Sequence, residues 1–187
     1  MRWLGCLAAV AAAVIVAAPA TSAQAIPGMP AGEYPVIKGF SPAYPLPKAA
    51  AQPSKTAHYK VIFNIAREAA NVDDPNPGLL HIARFLNVYA AAGVPVRSME
   101  LVAVISGPAT HVALDGASFR ARERVDNPNL DLIHQLRGAG VMIYVCGQSL
   151  VEQGFTPKQV SGDVTLALSA LTMVPEYVGQ GYTVLQY

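Results

Sequence analysis

Two kinds of hydrophobic pattern alternate along the chain from Tyr59 to its end. Short apolar runs rich in β-branched residues, Tyr59 to Ile65, Met99 to Ile105, Val141 to Val145 and Tyr182 to Gln186, predict strands. Helical spacing fills the gaps. After the cap-and-proline pair Asn76-Pro77, residues Leu79, Ile82, Ala83, Leu86 and Ala90 recur on one face until Gly93 ends the helix. Asn127-Pro128 repeats that pair ahead of the stripe Leu130, Ile133 and Leu136, and Thr110 to Leu114 predicts a short helix. Ser118 to Arg124 has no apolar stripe and reads as a basic, polar segment, with Arg120, Arg122 and Arg124 as a solvated face. Beyond Val145, Gln148 to Gln153 predicts a short helix, Thr156-Pro157 a turn and Met173 to Val178 another helix. Asp163 to Leu171 fits strand or helix equally.

Strands alternating with helices require crossover connections, and strands that are apolar almost throughout require a sheet covered on both faces. The expected fold is therefore α/β, a three-layer α/β/α sandwich around about five mostly parallel strands. This domain is assigned to residues 57–187.

The first 56 residues differ in kind. Met1-Arg2, the apolar run Leu4 to Ala18 and the small-x-small site Ala23-Gln24-Ala25 have the layout of a secretory signal peptide over residues 1–25, with an uncleaved anchor as the lesser alternative. The expected location is periplasmic or secreted. Residues 26–56 hold seven prolines, which exclude helix and interrupt any ladder, yet Tyr34, Val36, Ile37, Phe40, Tyr44 and Leu46 are available for burial. An extended arm lying across the domain or a neighbouring subunit is expected.

Cleavage after Ala25 would remove Cys6 and Arg2, leaving Cys146 as the single cysteine and twelve basic against twelve acidic residues. A neutral chain gives no reason to expect nucleic acid or a charged membrane as partner. Charged residues make up only 13% of the sequence, against about a quarter in ordinary globular proteins. That points weakly to a surface partly covered by other subunits.

Most familiar chemistries lack their residues. His58, His81, His111 and His134 are scattered without ligand spacing, so no metal and no cofactor is expected. Asn64-Ile65-Ala66-Arg67 occupies the place where a dinucleotide fingerprint would have to lie, and no Gly-x-Ser-x-Gly elbow is present. Cys146 is left as the distinctive group. It closes a predicted strand and precedes a predicted helix, where the crevice of an open α/β sheet lies and where the helix N-terminus favours a thiolate. A buried, inert cysteine is the competing reading. With no second cysteine nearby, a dithiol cycle within one subunit is excluded, whereas a single thiol can still carry one sulfur as a persulfide.

Several segments resemble the DsrE/DsrF family, and its exported branch in particular: Tyr59 to Asn64, Gly107-Pro108-Ala109, Asn127-Pro128-Asn129-Leu130 through Gly140-Val141, and Val145-Cys146-Gly147-Gln148-Ser149. Ala167 to Leu171, Gly181-Tyr182 and the arm's Pro35 to Phe40 are also similar to that branch. The resemblance implies an α/β/α fold, a homotrimer or homohexamer, and a cysteine at the position of Cys146 that passes sulfane sulfur between proteins. The chain departs from the family in having Ser106 before Gly107-Pro108, where histidine is frequent; His111 is the candidate substitute. On this basis Cys146 is the expected acceptor thiol. Asn64, Gly107 and the backbone amides of Gly147 and Gln148 are the expected pocket walls, since amides at a helix start hold an anionic sulfur. The expected function is an exported sulfur carrier or sulfurtransferase-like protein with a protein or small sulfur compound as partner. The alternatives are a non-catalytic oligomeric binding module and a thiol redox sensor.

Overall fold

The structure, a computed structural model, describes residues 30–187. The expected signal segment and the first four residues of the arm lie outside the described residues.

Five strands form one sheet: β1 (Tyr59–Ile65), β2 (Met99–Ile105), β3 (Met142–Cys146), β4 (Thr165–Ala167) and β5 (Thr183–Gln186). Their order is β4-β3-β2-β1-β5 and every pairing is parallel. The longest ladder joins β1 to β2 over seven residue pairs, from Tyr59 with Met99 to Ile65 with Ile105. Five helices connect the strands: α1 (Pro77–Ala91), α2 (Gly116–Glu123), α3 (Leu130–Gly138), α4 (Gly147–Glu152) and α5 (Ala170–Gly179). Among the described residues no helix is long and apolar enough to cross a membrane.

The period-two alternation of the strands sorts their side chains onto two faces. Val61, Phe63 and Ile65 of β1, Leu101, Ala103 and Ile105 of β2, and Ile143 and Val145 of β3 face the larger core. There they meet Leu79, Ile82 and Leu86 of α1 and Leu132, Ile133 and Leu136 of α3. Ile62, Val102 and Val104 face the other way, onto Ala170, Met173, Val174 and Tyr177 of α5. This is the three-layer sandwich, with one layer reduced to a single helix. The same parity places Asn64 and Cys146 on the α5 face.

Several local expectations need correction. Ser118 to Glu123 is part of α2, an eight-residue helix that Arg124 caps and that buries only Phe119, so its sequence shows no stripe. Asp115 caps it by accepting from the Ser118 amide at 2.7 Å. The short helix expected at Thr110 to Leu114 is a longer 3₁₀ segment, Gly107–Ala113. Asn127-Pro128 does not start α3, which begins at Leu130. The Asn127 carboxamide instead accepts from the Asn129 amide and donates to the Val112 and Leu114 carbonyls. Asn76, by contrast, caps α1 by accepting from the Gly78 amide at 2.8 Å, with Pro77 in the first position.

The arm lies on its own chain. Ile37 is 1% exposed, and the fully buried Asn87 of α1 holds the backbone around it. The Asn87 Oδ1 accepts from the Val36 and Ile37 amides at 3.0 and 2.9 Å, while Nδ2 donates to the carbonyls of Ile37, Phe40 and Ser41. Gln135 of α3 adds a second clamp, accepting from the Lys38 amide and donating to its carbonyl. Proline removes donors, so the arm cannot join a ladder, and a carboxamide supplies the partners its remaining groups need. Asn87→Ala should strip five such bonds and destabilise the fold by about 3 kcal/mol, because buried amides and carbonyls are left unpaired. Urea unfolding measures the loss, and hydrogen exchange at Val36 and Ile37 should accelerate.

Candidate functional site

Because all five strands run the same way, their carboxyl ends lie together along one edge of the sheet, and a pocket of about 620 Å³ opens there on the α5 face. Each strand contributes to its wall. Asn64 comes from β1, Ser106 and Gly107 follow β2, Cys146 ends β3, Ser169 follows β4 and Gln186 comes from β5. Gln148, Ser149 and Glu152 of α4 form one side, and Leu171, Val174 and Pro175 of α5 form the other.

Cys146 is 4% exposed. It is both the last residue of β3 and the residue from which α4 starts. Its thiol donates to the Ser169 Oγ at 3.9 Å. Ser169 is itself the cap of α5, accepting from the Leu171 amide at 3.1 Å, so its own hydroxyl proton is free to turn toward a thiolate. Ser149 is held in the same way: its Oγ accepts from the Gly107 amide at 3.0 Å, leaving its proton for the sulfur. Burial pushes the Cys146 thiol up. Hydrogen bonds to the sulfur from the Ser149 hydroxyl and amide, the Ala170 amide and the Ser169 hydroxyl outweigh it, so the net shift is downward from the ordinary thiol value.

Of the residues expected from sequence, Asn64, Gly107, Gln148 and Cys146 are brought together in this pocket. Gly147 is not part of its lining. Its role is close approach, since a Cβ there would lie 2.8 Å from the Ala167 carbonyl oxygen and 3.3 Å from that of Leu168. Gly107 turns the chain after β2 with φ +52°, in the region that favours glycine. Asn64 carries a buried Oδ1 that has no hydrogen-bond partner among the described residues. His111 does not replace the absent histidine. Its Nδ1 lies 2.9 Å from the Pro108 carbonyl, and its ring lines a separate cavity with Glu68, Asp74 and Arg122.

Sequence reasoning missed Ser149 and Ser169 as partners of the sulfur. Ser149 had a usable signal, because a hydroxyl three residues into a helix reaches back to its start. Ser169 had none, because its meeting with Cys146 depends on the pairing of Cys146 with Ala167, set by a three-residue edge strand. Among the described residues no group of three or more His, Cys, Asp or Glu side chains is arranged to hold a metal ion.

The fold and site together define a parallel α/β sandwich with one hydrogen-bonded thiol in the crevice at the strand ends. The DsrE/DsrF-like family model matches residues 52–187, and the chain belongs to that family. Among solved structures it is similar to MTH1491, a protein of unknown function from Methanobacterium thermoautotrophicum. That similarity has a TM-score of 0.52 at 21% identity and covers 69% of this chain and 99% of the other. No curated protein matches the chain.

The lowered thiol pKa makes the thiolate the form that the folded state stabilises. Its contribution to stability is complete above the ordinary thiol pKa of about 8.5 and disappears as pH falls through the lowered native value. Iodoacetamide alkylation followed against pH should show a midpoint below that of a free cysteine. Ser149→Ala should move the midpoint upward while leaving the circular dichroism spectrum unchanged.

Proposed function

We propose that the protein is a single-cysteine sulfur carrier, exported after removal of residues 1–25, which holds sulfane sulfur as a persulfide on Cys146. Membership of the DsrE/DsrF-like family supports sulfur relay as its general field. The observation that carries the finer reading is the place of Cys146, at the carboxyl end of β3 in the wall of a 620 Å³ pocket, with Ser149 and Ser169 beside its sulfur, where hydrogen bonding lowers the thiol pKa. A thiolate held this way is a nucleophile toward sulfur rather than a packing residue. In the carrying step the Cys146 thiolate attacks the outer sulfur of a donor persulfide. The donor S–S bond breaks, a new S–S bond forms on Cys146, and the donor leaves as a thiolate. No external oxidant or reductant enters the balance. The Ser149 and Ser169 hydroxyls and the Ala170 amide, which hold the thiolate, can follow the negative charge onto the terminal sulfur.

The intact mass of the folded protein should rise by one sulfur atom on incubation with polysulfide and return to its starting value with reductant, while Cys146→Ser should show no change. Equal loading of the variant would remove Cys146 from the mechanism. No loading of the native protein would favour the alternative of a small-ligand binding module, for which the half-apolar wall formed by Leu171, Val174 and Pro175 is the supporting feature.

We also propose self-association, as a trimer or hexamer, through the α5 side of the molecule. Of the ten residues of α5 one is charged and none is buried, while Leu168 and Leu171 are 72% and 86% exposed. A second copy seated there would cover those leucines and narrow the mouth of the Cys146 pocket. Sedimentation equilibrium should give three or six copies for the native chain and predominantly monomer for Leu171→Glu. A monomeric native chain would refute this assembly.

A further inference from the structure

The charge of the Cys146 pocket, considered on top of the sulfur-carrier reading, selects among sulfur donors. Its one carboxylate is Glu152, and among the described residues no lysine, arginine or histidine lines it. The remaining polar groups are amides and hydroxyls: Asn64, Gln148 and Gln186 beside Ser106, Ser149 and Ser169. The donors that converge on the sulfur are already engaged with Cys146, and the Gly107 and Leu171 amides with the hydroxyl oxygens of Ser149 and Ser169. The Asn64 Oδ1 is buried and has no hydrogen-bond partner among the described residues, but it is closed off from the pocket, which leaves Glu152 as the group that discriminates by charge.

An anionic donor such as thiosulfate meets the thiolate and the Glu152 carboxylate with no cation to offset either. A donor with an ammonium group at its far end meets the Glu152 carboxylate. We infer that the pocket is built for small persulfides whose non-reacting end carries an ammonium group, with Glu152 as the recognising group. The transfer itself is the displacement already described: the Cys146 thiolate takes the outer sulfur, the donor S–S bond breaks, and the departing aminothiolate takes up the proton released.

A matched pair of donors tests the inference. Cysteamine persulfide and 3-mercaptopropionate persulfide have similar length and opposite end charge. Rates of sulfur loading on the full-length mature protein are read by intact mass and normalised to the rates with a small single-cysteine peptide. One exposed carboxylate that attracts one donor and repels the other should give the ammonium donor an advantage of about tenfold, shrinking at high salt. Glu152 is exposed, so Glu152→Lys should fold normally and reverse the order. Equal normalised rates for the two donors, or an advantage unchanged in Glu152→Lys, would overturn the inference and leave the carrier function standing. No loading from either donor would sink the carrier function and this inference with it.

Discussion

The seven-rung parallel ladder between β1 and β2 is the constraint from which the rest of the molecule follows. Parallel neighbours cannot be joined by a tight turn, so each strand must be followed by a crossover, and the crossovers must cover the sheet. Once β1 to β4 are laid down in one direction across the sheet, α1, α2 and α3 share one face. Placing β5 on the other side of β1 then carries α5 over the opposite face, consistent with right-handed connections. The arrangement gathers five carboxyl ends into one crevice without any residue being selected for that purpose. Chemistry then depends on which side chains occupy the last position of each strand.

The strongly patterned parts of this fold could be read in the sequence. The boundaries of β1 and β2 are those the apolar runs indicate, and Asn76-Pro77 marks the start of α1, because burial on both faces leaves an unbroken hydrophobic record. Elements that bury little left little trace. α2 buries only Phe119 and was invisible, and β4 has no buried residue, so Asp163 to Leu171 stayed ambiguous. The candidate site was legible in the same proportion. Cys146, Asn64, Gly107 and Gln148 follow from strand ends, while Ser169 needed the β3–β4 register and His111 was misdirected by nearness in sequence.

Buried asparagines do work that their sequence context concealed. Asn76, Asn127 and Asn129 form a relay: the Asn76 amide donates to the Asn129 Oδ1 at 2.7 Å, and the Asn129 Nδ2 donates to the Asn127 Oδ1 at 3.0 Å. Asn127 extends it to the carbonyls of Val112 and Leu114. Motifs that look like two independent helix caps therefore tie the starts of α1 and α3 to the 3₁₀ segment after β2. That segment begins at Gly107, whose amide holds Ser149 against the thiol. A fully satisfied polar network of this kind fixes one arrangement of its elements, since any shift leaves a buried group unpaired. Asn87 does the same for the proline-rich arm.

The absence of a side chain at Gly147 brings the turn after Cys146 against the last carbonyls of β4, and Gln148 bonds to the Leu168 carbonyl across the same gap. Ser169 and Ala170, which supply two of the hydrogen bonds to the sulfur, are the next residues along that strand's exit. The outermost strand of the sheet and the acidity of the thiol are therefore one mechanical unit. Displacing that free edge would carry Ser169 and Ala170 away from the sulfur and so change how readily the cysteine ionises.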